Sequence, residues 1–302
     1  MAQPLDAAKA AFYGKFVLAA YTMFDNPGLD PLRPEPAGIP DGYELGAWIH
    51  MSDFCIGAAV PKFYGIVAHG TNDDPETRVI AIRGTEGAIE WLDDGDAVPV
   101  PFRQVPSAGR VACGFDRIYS SLKVIRRRLP SEVGVAAAAA QPETFTGSFA
   151  DQLEQLALSR EAARGAAFES SNGHGRPSRP TVVTGHSLGS ALTTLFVLEN
   201  STKNKFDVST LCTFASPRVG NMEFVGTFNQ LPITSWRIVN TEDIVPKLPP
   251  HIPVVLDYEH VNNLSSFSSA GQAKKSLGCC HAMQTYLHWL DAAVAVRQDC
   301  AA

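Results

Sequence analysis

An α/β architecture, with a mainly parallel central sheet covered by helices on both faces, is what this sequence predicts. Three observations carry it. Strand-like and helical segments alternate along most of the chain. The stretch Thr181–Leu192 reads as a buried strand, a sharp turn and a helix, the unit from which parallel sheets are built. And 302 residues at 45% hydrophobic content bury enough apolar surface for one large core. Neither an internal repeat nor a linker interrupts the pattern, so residues 1–302 are expected to form one domain.

Taken in order, Ala7–Phe24 carries an apolar helical face of Phe12, Phe16, Val17, Ala20, Tyr21 and Phe24. With Lys9 and Lys15 as its only cations, that face is expected to dock on the domain rather than on a membrane. Pro31–Pro40 is a loop. Tyr43–Ile49, Lys62–Ala68 and Arg78–Arg83 are expected strands, and Asn72-Asp73-Asp74-Pro75 turns the chain between the last two. A helix is expected over Arg117–Leu129, with Arg126-Arg127-Arg128 as its solvated end. Val135–Ala140 is alanine-rich and low in complexity, Ser148–Ala167 reads as helical, and Glu169–Arg179 is a Gly/Ser/Pro loop. Ser209–Phe214, Trp236–Asn240 and Val254–Tyr258 are further strands, and His281–Val296 is a final helix.

The totals exclude several function classes. Net charge is −6 and no basic stripe is present, so nucleic acid is not an expected partner. No apolar run is long enough to span a bilayer. Met1–Ala10 lacks the basic start and apolar core of a signal peptide. That leaves an intracellular protein, or a secreted one whose leader has been removed. Cys113 and Cys212 lie in apolar segments and are expected as buried thiols. Cys55, Cys279, Cys280 and Cys300 remain candidates for pairing, without a diagnostic spacing. Adjacent Cys279-Cys280 is not a metal pattern, and no metal site is expected.

Chemistry enters at Gly185-His186-Ser187-Leu188-Gly189, a Gly-x-Ser-x-Gly turn of the nucleophile-elbow type. Such a turn presents its serine at the carboxyl edge of a sheet, and tiny neighbours are required on either side. Leu188 opens the following helix, so its N–H is placed to stabilise an oxyanion. A chance match of this form occurs on the order of 0.1 times in a chain of this length. The apolar strand before it and the apolar helix after it favour the functional reading.

A serine nucleophile needs a base, a group that orients the base, and oxyanion donors. In α/β-hydrolases these follow in the order serine, acid, histidine. The strand Ser235–Asn240 runs directly into Thr241-Glu242-Asp243-Ile244-Val245-Pro246, where Glu242 and Asp243 both qualify. Four of the eight histidines follow. His251 sits between prolines, His260 ends a strand, and His288 lies two turns inside the final helix. His281 opens that helix beside a loop, where a base can reach the elbow, and it shares a helix face with His288.

Five ordered motifs then resemble the class 3 lipases, the filamentous-fungal lipase type. Arg83-Gly84-Thr85, Trp91-Leu92-Asp93-Asp94, Val98-Pro99-Val100 and Gly114-Phe115 are similar to that family's oxyanion and lid segment. Gly185–Leu192 resembles its elbow, and Phe214-Ala215-Ser216-Pro217-Arg218-Val219-Gly220-Asn221 its signature after the elbow. Val239–Pro246 is similar to its acid loop, with the aspartate on Asp243, and His281 with Tyr286 resembles its histidine segment. The match runs from about Arg78 to Leu290, and Pro130–Arg179 departs from it as an insertion that could touch the substrate cleft.

The resemblance implies an α/β-hydrolase fold with a short lid at Glu86–Asp96, bearing Ile89, Trp91 and Leu92. It implies a serine hydrolase of acylglycerol esters with Ser187, Asp243 and His281 as triad. Thr85 and Leu188 are its implied oxyanion donors, and Asp94 orients the Thr85 hydroxyl. No metal or organic cofactor is implied. The partner is a lipid or small ester, met in part through transient lid contact with a lipid surface. Phospholipase A1, a soluble-ester (feruloyl-type) esterase and a non-catalytic hydrolase-fold binding protein are the rival readings.

His69-Gly70 is a decoy for the oxyanion site. A hairpin makes its strand antiparallel to Arg78–Arg83. If Arg78–Arg83 is parallel to the elbow strand, Thr85 falls on the active edge and His69 on the opposite one.

Overall fold

Layering follows from one short strand. In β3 (Arg78–Ile82) Val79 and Ala81 enter the core on one side, and Ile80 and Ile82 enter the core on the other. Successive side chains of a strand point to opposite faces, and both faces here are apolar and buried, as in a strand covered on both sides. The computed structural model describes residues 4–25, 34–53, 60–71, 77–85, 97–127, 144–165, 180–252 and 256–302.

Among the described residues β3 belongs to an eight-stranded sheet. From one edge the order is β12 (Leu264–Phe267), β10 (Thr234–Asn240), β8 (Val208–Phe214), β7 (Thr181–His186), β3, β2 (Val60–Gly70), β1 (Tyr43–Asp53) and β6 (Lys123–Arg126). Pairing is parallel from β12 through β3 and antiparallel from β3 through β6. A small antiparallel sheet is formed by β11 (Tyr258–Glu259), β9 (Gly220–Asn221), β5 (Arg110–Ala112) and β4 (Pro99–Pro101), with the short helix α5 (Met222–Phe228) directly after β9.

One face of the large sheet carries α1 (Ala7–Asp25) and α7 (Met283–Leu290). Phe16, Val17, Ala20 and Met23 of α1 pack there with Met283, Tyr286 and Leu287. The amino-terminal helix therefore docks on the sheet, as its apolar face predicts. The opposite face carries α2 (Cys113–Ser121), α3 (Phe149–Gly165) and α4 (Leu188–Lys203). A buried polar cluster ties these three together. Tyr119 of α2 donates to the fully buried Glu199 of α4. Lys203 lies 2.7 Å from Glu199, 3.1 Å from Asp151 and 2.6 Å from Ser148 Oγ. Phe149, Ala150, Leu153 and Leu156 sink one face of α3, which lies within the Pro130–Arg179 stretch, into the core.

Three expectations are corrected. The helix expected over Arg117–Leu129 stops at Ser121, and Lys123–Arg126 is instead the edge strand β6, paired with Ala47–His50. Val124 and Ile125 suit a strand, and β1 offers them an open edge. Arg126 is therefore in a strand, and Arg127 pairs with Glu35 at 3.1 Å rather than ending a helix. The final helix is split: α6 (Leu277–His281) ends where Ala282 turns extended (φ −61°, ψ 133°), and α7 begins after it. Side chains take the carbonyls that would continue the helix: Thr285 takes Cys279, Asn240 takes Cys280 and His186 takes His281. His281 thus closes one helix, and His288 lies in another. The strand expected over Val254–Tyr258 is reduced to β11, with 253–255 outside the described residues.

Cys279 and Cys300 form a disulfide, while Cys113, Cys212 and Cys280 are free thiols. Val135–Ala140, the loop Glu169–Arg179 and Cys55 fall outside the described residues.

Candidate active site

The elbow is built by excluding side chains. Ser187 sits at φ +57°, ψ −127°, between β7 and α4, a conformation costing about 1–3 kcal/mol for a residue with a Cβ. The surroundings hold it there. Its N–H donates to Phe214 (2.9 Å), and Ser190 Oγ donates to the carbonyls of Gly185 and Phe214, both at 2.8 Å. A Cβ on Gly189 would strike the carbonyls of Ile82 and Arg83, and one on Gly185 would strike the carbonyl of Gly189. Both glycines are therefore dictated by backbone approach.

Asp243 follows β10 and is fully buried. Three donors satisfy its carboxylate. His281 Nδ1 and the Tyr286 hydroxyl reach Oδ2 at 2.7 and 2.8 Å, and the Val245 N–H reaches Oδ1 at 3.0 Å. Tyr286 also accepts from the Asn240 N–H at 3.1 Å. Burial, and next the Asp243 charge, raise the pKa of Tyr286 well above the tyrosine value, so its proton stays on. With Nδ1 bound to the carboxylate, His281 turns Nε2 inward. That nitrogen and Ser187 Oγ are both buried, and neither has a hydrogen-bond partner among the described residues.

The structure separates the four late histidines. His260 gives Nε2–H to the Pro246 carbonyl at 2.7 Å, and burial, aided by Arg237, lowers its pKa to about 3. His251 faces Glu259 and Asp257 at 3.3 and 3.9 Å, and His288 binds the Val294 carbonyl through Nδ1. His281 is the one that meets Asp243. Glu242, the other carboxylate of the acid loop, is bound by Ser268 and Thr241 at the surface.

On the oxyanion side, β3 is parallel to β7 and antiparallel to β2, with His69 opposite Arg78. Thr85 therefore lies at the edge that bears Ser187, and His69 at the other, as the hairpin argument predicts. Among the described residues the Thr85 hydroxyl is buried without a hydrogen-bond partner. Leu188 is the first residue of α4, where an N–H has no partner within the helix. Asp94, Ile89, Trp91 and Leu92, like all of 86–96, lie outside the described residues. Tyr21, Thr85, His186, His281, Met283 and Arg297 line a cavity of about 260 Å³ beside these groups.

Sequence reasoning missed Asn240, His186 and Tyr21 as parts of this edge. Asn240 binds Ser269 Oγ and the Cys280 carbonyl, each at 2.8 Å, and so fixes the turn carrying His281. Its position at a strand end before the acid was the available signal.

A strained serine between a parallel strand and a helix, with an acid and a histidine on the same edge, defines a protein of the α/β-hydrolase class. Within that class the chain belongs to the lipase (class 3) family, whose model matches residues 79–252, more than half of its length. A chloroplastic phospholipase A(1) of Arabidopsis thaliana is 23% identical over 92% of this chain and 70% of its own. Phospholipase A1-II 1 of Oryza sativa subsp. indica is 28% identical over 70% of this chain and 49% of its own. Secreted mono- and diacylglycerol lipase 1 of Fusarium solani is 26% identical, over 85% of this chain and 62% of its own. The chain thus spans between about half and seven tenths of the length of these relatives. Among solved structures, Rhizomucor miehei triacylglyceride lipase matches with a TM-score of 0.55 at 20% identity, over 88% of this chain and 82% of that one. Lipase II from Rhizopus niveus matches with 0.56 at 18% identity, over 88% and 83%. These two show the shared fold.

Proposed function

We propose that this protein is a serine ester hydrolase that cleaves acyl esters of glycerolipids through an acyl-enzyme. The observation that carries the reading is the 2.7 Å contact between His281 and the buried Asp243, on the sheet edge that presents Ser187. Ser187 Oγ attacks the ester carbonyl as His281 Nε2 takes its proton. His281 then gives that proton to the leaving alcohol. Asp243 holds the Nδ1–H tautomer and stabilises the imidazolium. Thr85 and Leu188 donate to the oxyanion, and Asp94 orients the Thr85 hydroxyl. Water activated by His281 releases the acyl group.

Acylglycerols are the first substrate class in this reading, in keeping with the family and the Fusarium relative. The relatives named phospholipase A1 favour a second reading, the same chemistry on a glycerophospholipid ester. No helix among the described residues is long and apolar enough to cross a membrane. Contact with lipid is assigned to 86–96, through Ile89, Trp91 and Leu92. On a neutral ester, the rate is expected to rise when substrate exceeds its solubility limit, because lipid then covers apolar area that otherwise costs about 25 cal/mol per Å². A hyperbolic curve running smoothly through that limit would remove the lid assignment.

Substitution tests the core of the reading. Ser187→Ala and His281→Ala are each expected to lower turnover by about three orders of magnitude or more, and Asp243→Asn by up to about four. Full turnover in folded Ser187→Ala would sink it. A fluorophosphonate probe that fails to label Ser187 would favour a non-catalytic binding protein. Comparing hydrolysis of acylglycerols, phospholipids and short nitrophenyl esters decides among substrate classes.

A further inference from the structure

We propose that Tyr21 and His186 form a positioning pair that keeps the oxyanion strand end and the base in register around Ser187, an inference that rests on the ester-hydrolase reading. Three hydrogen bonds make the link. The Gly84 N–H donates to the Tyr21 oxygen at 3.0 Å. Tyr21 and His186 Nδ1 are 2.6 Å apart, and His186 Nε2 lies 2.8 Å from the His281 carbonyl. Each end abuts catalytic machinery. Gly84 precedes Thr85, His186 precedes Ser187, and His281 is the base itself.

The direction of every bond in the chain is forced. A backbone carbonyl only accepts, so His186 Nε2 must carry the hydrogen. In a neutral imidazole Nδ1 is then bare and must accept, so Tyr21 donates to it. The tyrosine oxygen is left with a lone pair for the Gly84 N–H. The ring is buried beside His281, and burial first, His281 next, hold its pKa well below the histidine value. Neutrality matters because the two imidazole centroids are only 4.7 Å apart, and His281 becomes charged during turnover.

Packing leaves little slack in the link. A Cβ on Gly84 would come within 2.6 Å of Ser187 Cβ and 2.9 Å of the Tyr21 hydroxyl. Arg83 donates to the Gly84 carbonyl at 2.7 Å, and its guanidinium carbon lies 5.7 Å from the centre of the Tyr21 ring. Oxyanion donors act through placement, and a displacement of a few tenths of an ångström at Thr85 or His281 is felt in the transition state more than in substrate binding. Tyr21 comes from α1, outside the stretch that the family model matches.

Two measurements test the pair. On a soluble nitrophenyl ester, Tyr21→Phe is expected to lower kcat by roughly 10–100-fold while KM stays within about twofold. An unchanged kcat, or a rise in KM at constant kcat, overturns the proposal. In the unsubstituted protein, ¹⁵N-histidine NMR near neutral pH should show His186 as the neutral Nε2–H tautomer. The Nδ1–H tautomer or a charged ring overturns it, even if Tyr21→Phe fails to fold. Fluorophosphonate labelling of the unsubstituted protein is run alongside. Absent labelling with the expected tautomer removes the ester-hydrolase reading, and with it the catalytic role of the pair, while leaving its hydrogen bonds standing.

Discussion

Tyr286 serves two groups with one hydroxyl, accepting from the Asn240 N–H and donating to Asp243. Tyr286→Phe therefore leaves a buried donor unpaired and Asp243 one donor short. A loss of about 1–3 kcal/mol in denaturant stability is expected, with reduced turnover. Unchanged stability would mean that the Asn240 N–H had found another acceptor. Thr85 allows a cleaner separation. Thr85→Val keeps the N–H and removes only the buried hydroxyl. If that hydroxyl donates to the oxyanion, kcat should fall by roughly 10²–10³ with little change in KM. Equal kcat in the two proteins would assign the work to the N–H alone.

Between elements, the polar cluster of α2, α3 and α4 carries a consequence for stability. Lys203→Met would leave Glu199 fully buried with its charge uncompensated, and a loss of about 3 kcal/mol is expected in urea unfolding. Burial pulls the Lys203 pKa down, but hydrogen bonds to Glu199 and Asp151 outweigh it and raise the pKa above 10.5. The sign follows: the contribution is complete below the ordinary lysine value and is lost as pH rises through the higher folded value. Weakening by this group should therefore appear only in strongly alkaline solution, and a loss near neutral pH would contradict it. The Cys279–Cys300 disulfide closes a separation of 21 residues, which on loop entropy stabilises by about 3 kcal/mol. Its near end lies in α6 with His281. Cys279→Ser with Cys300→Ser should lower the midpoint temperature of unfolding, and activity should fade on heating before bulk structure does. Coincident loss of the two would show that α6 is held without the bridge.

Across the whole molecule, legibility tracks sequence distance. The elbow, the acid loop and the β3 end could be read because local rules write them: glycines where backbones touch, and polar residues just after apolar strands. The edge strand β6 and the split of the last helix could not. Each is decided by a partner far along the chain, β1 for the strand, and Asn240 and His186 for the helix break. Tyr21 was legible as an apolar helix position and illegible as a site residue, because its bond to His186 spans 165 positions. That same spread has a temporal meaning. A chain leaving the ribosome displays Ser187 and then Asp243, yet His281, the base in the proposed reading, lies 38 residues behind Asp243. At ordinary translation rates of about 5–20 residues per second that interval lasts roughly 2–8 s. Through it the nascent polypeptide already holds Ser187 and Asp243 but not His281, so the proposed triad is incomplete until synthesis has passed His281.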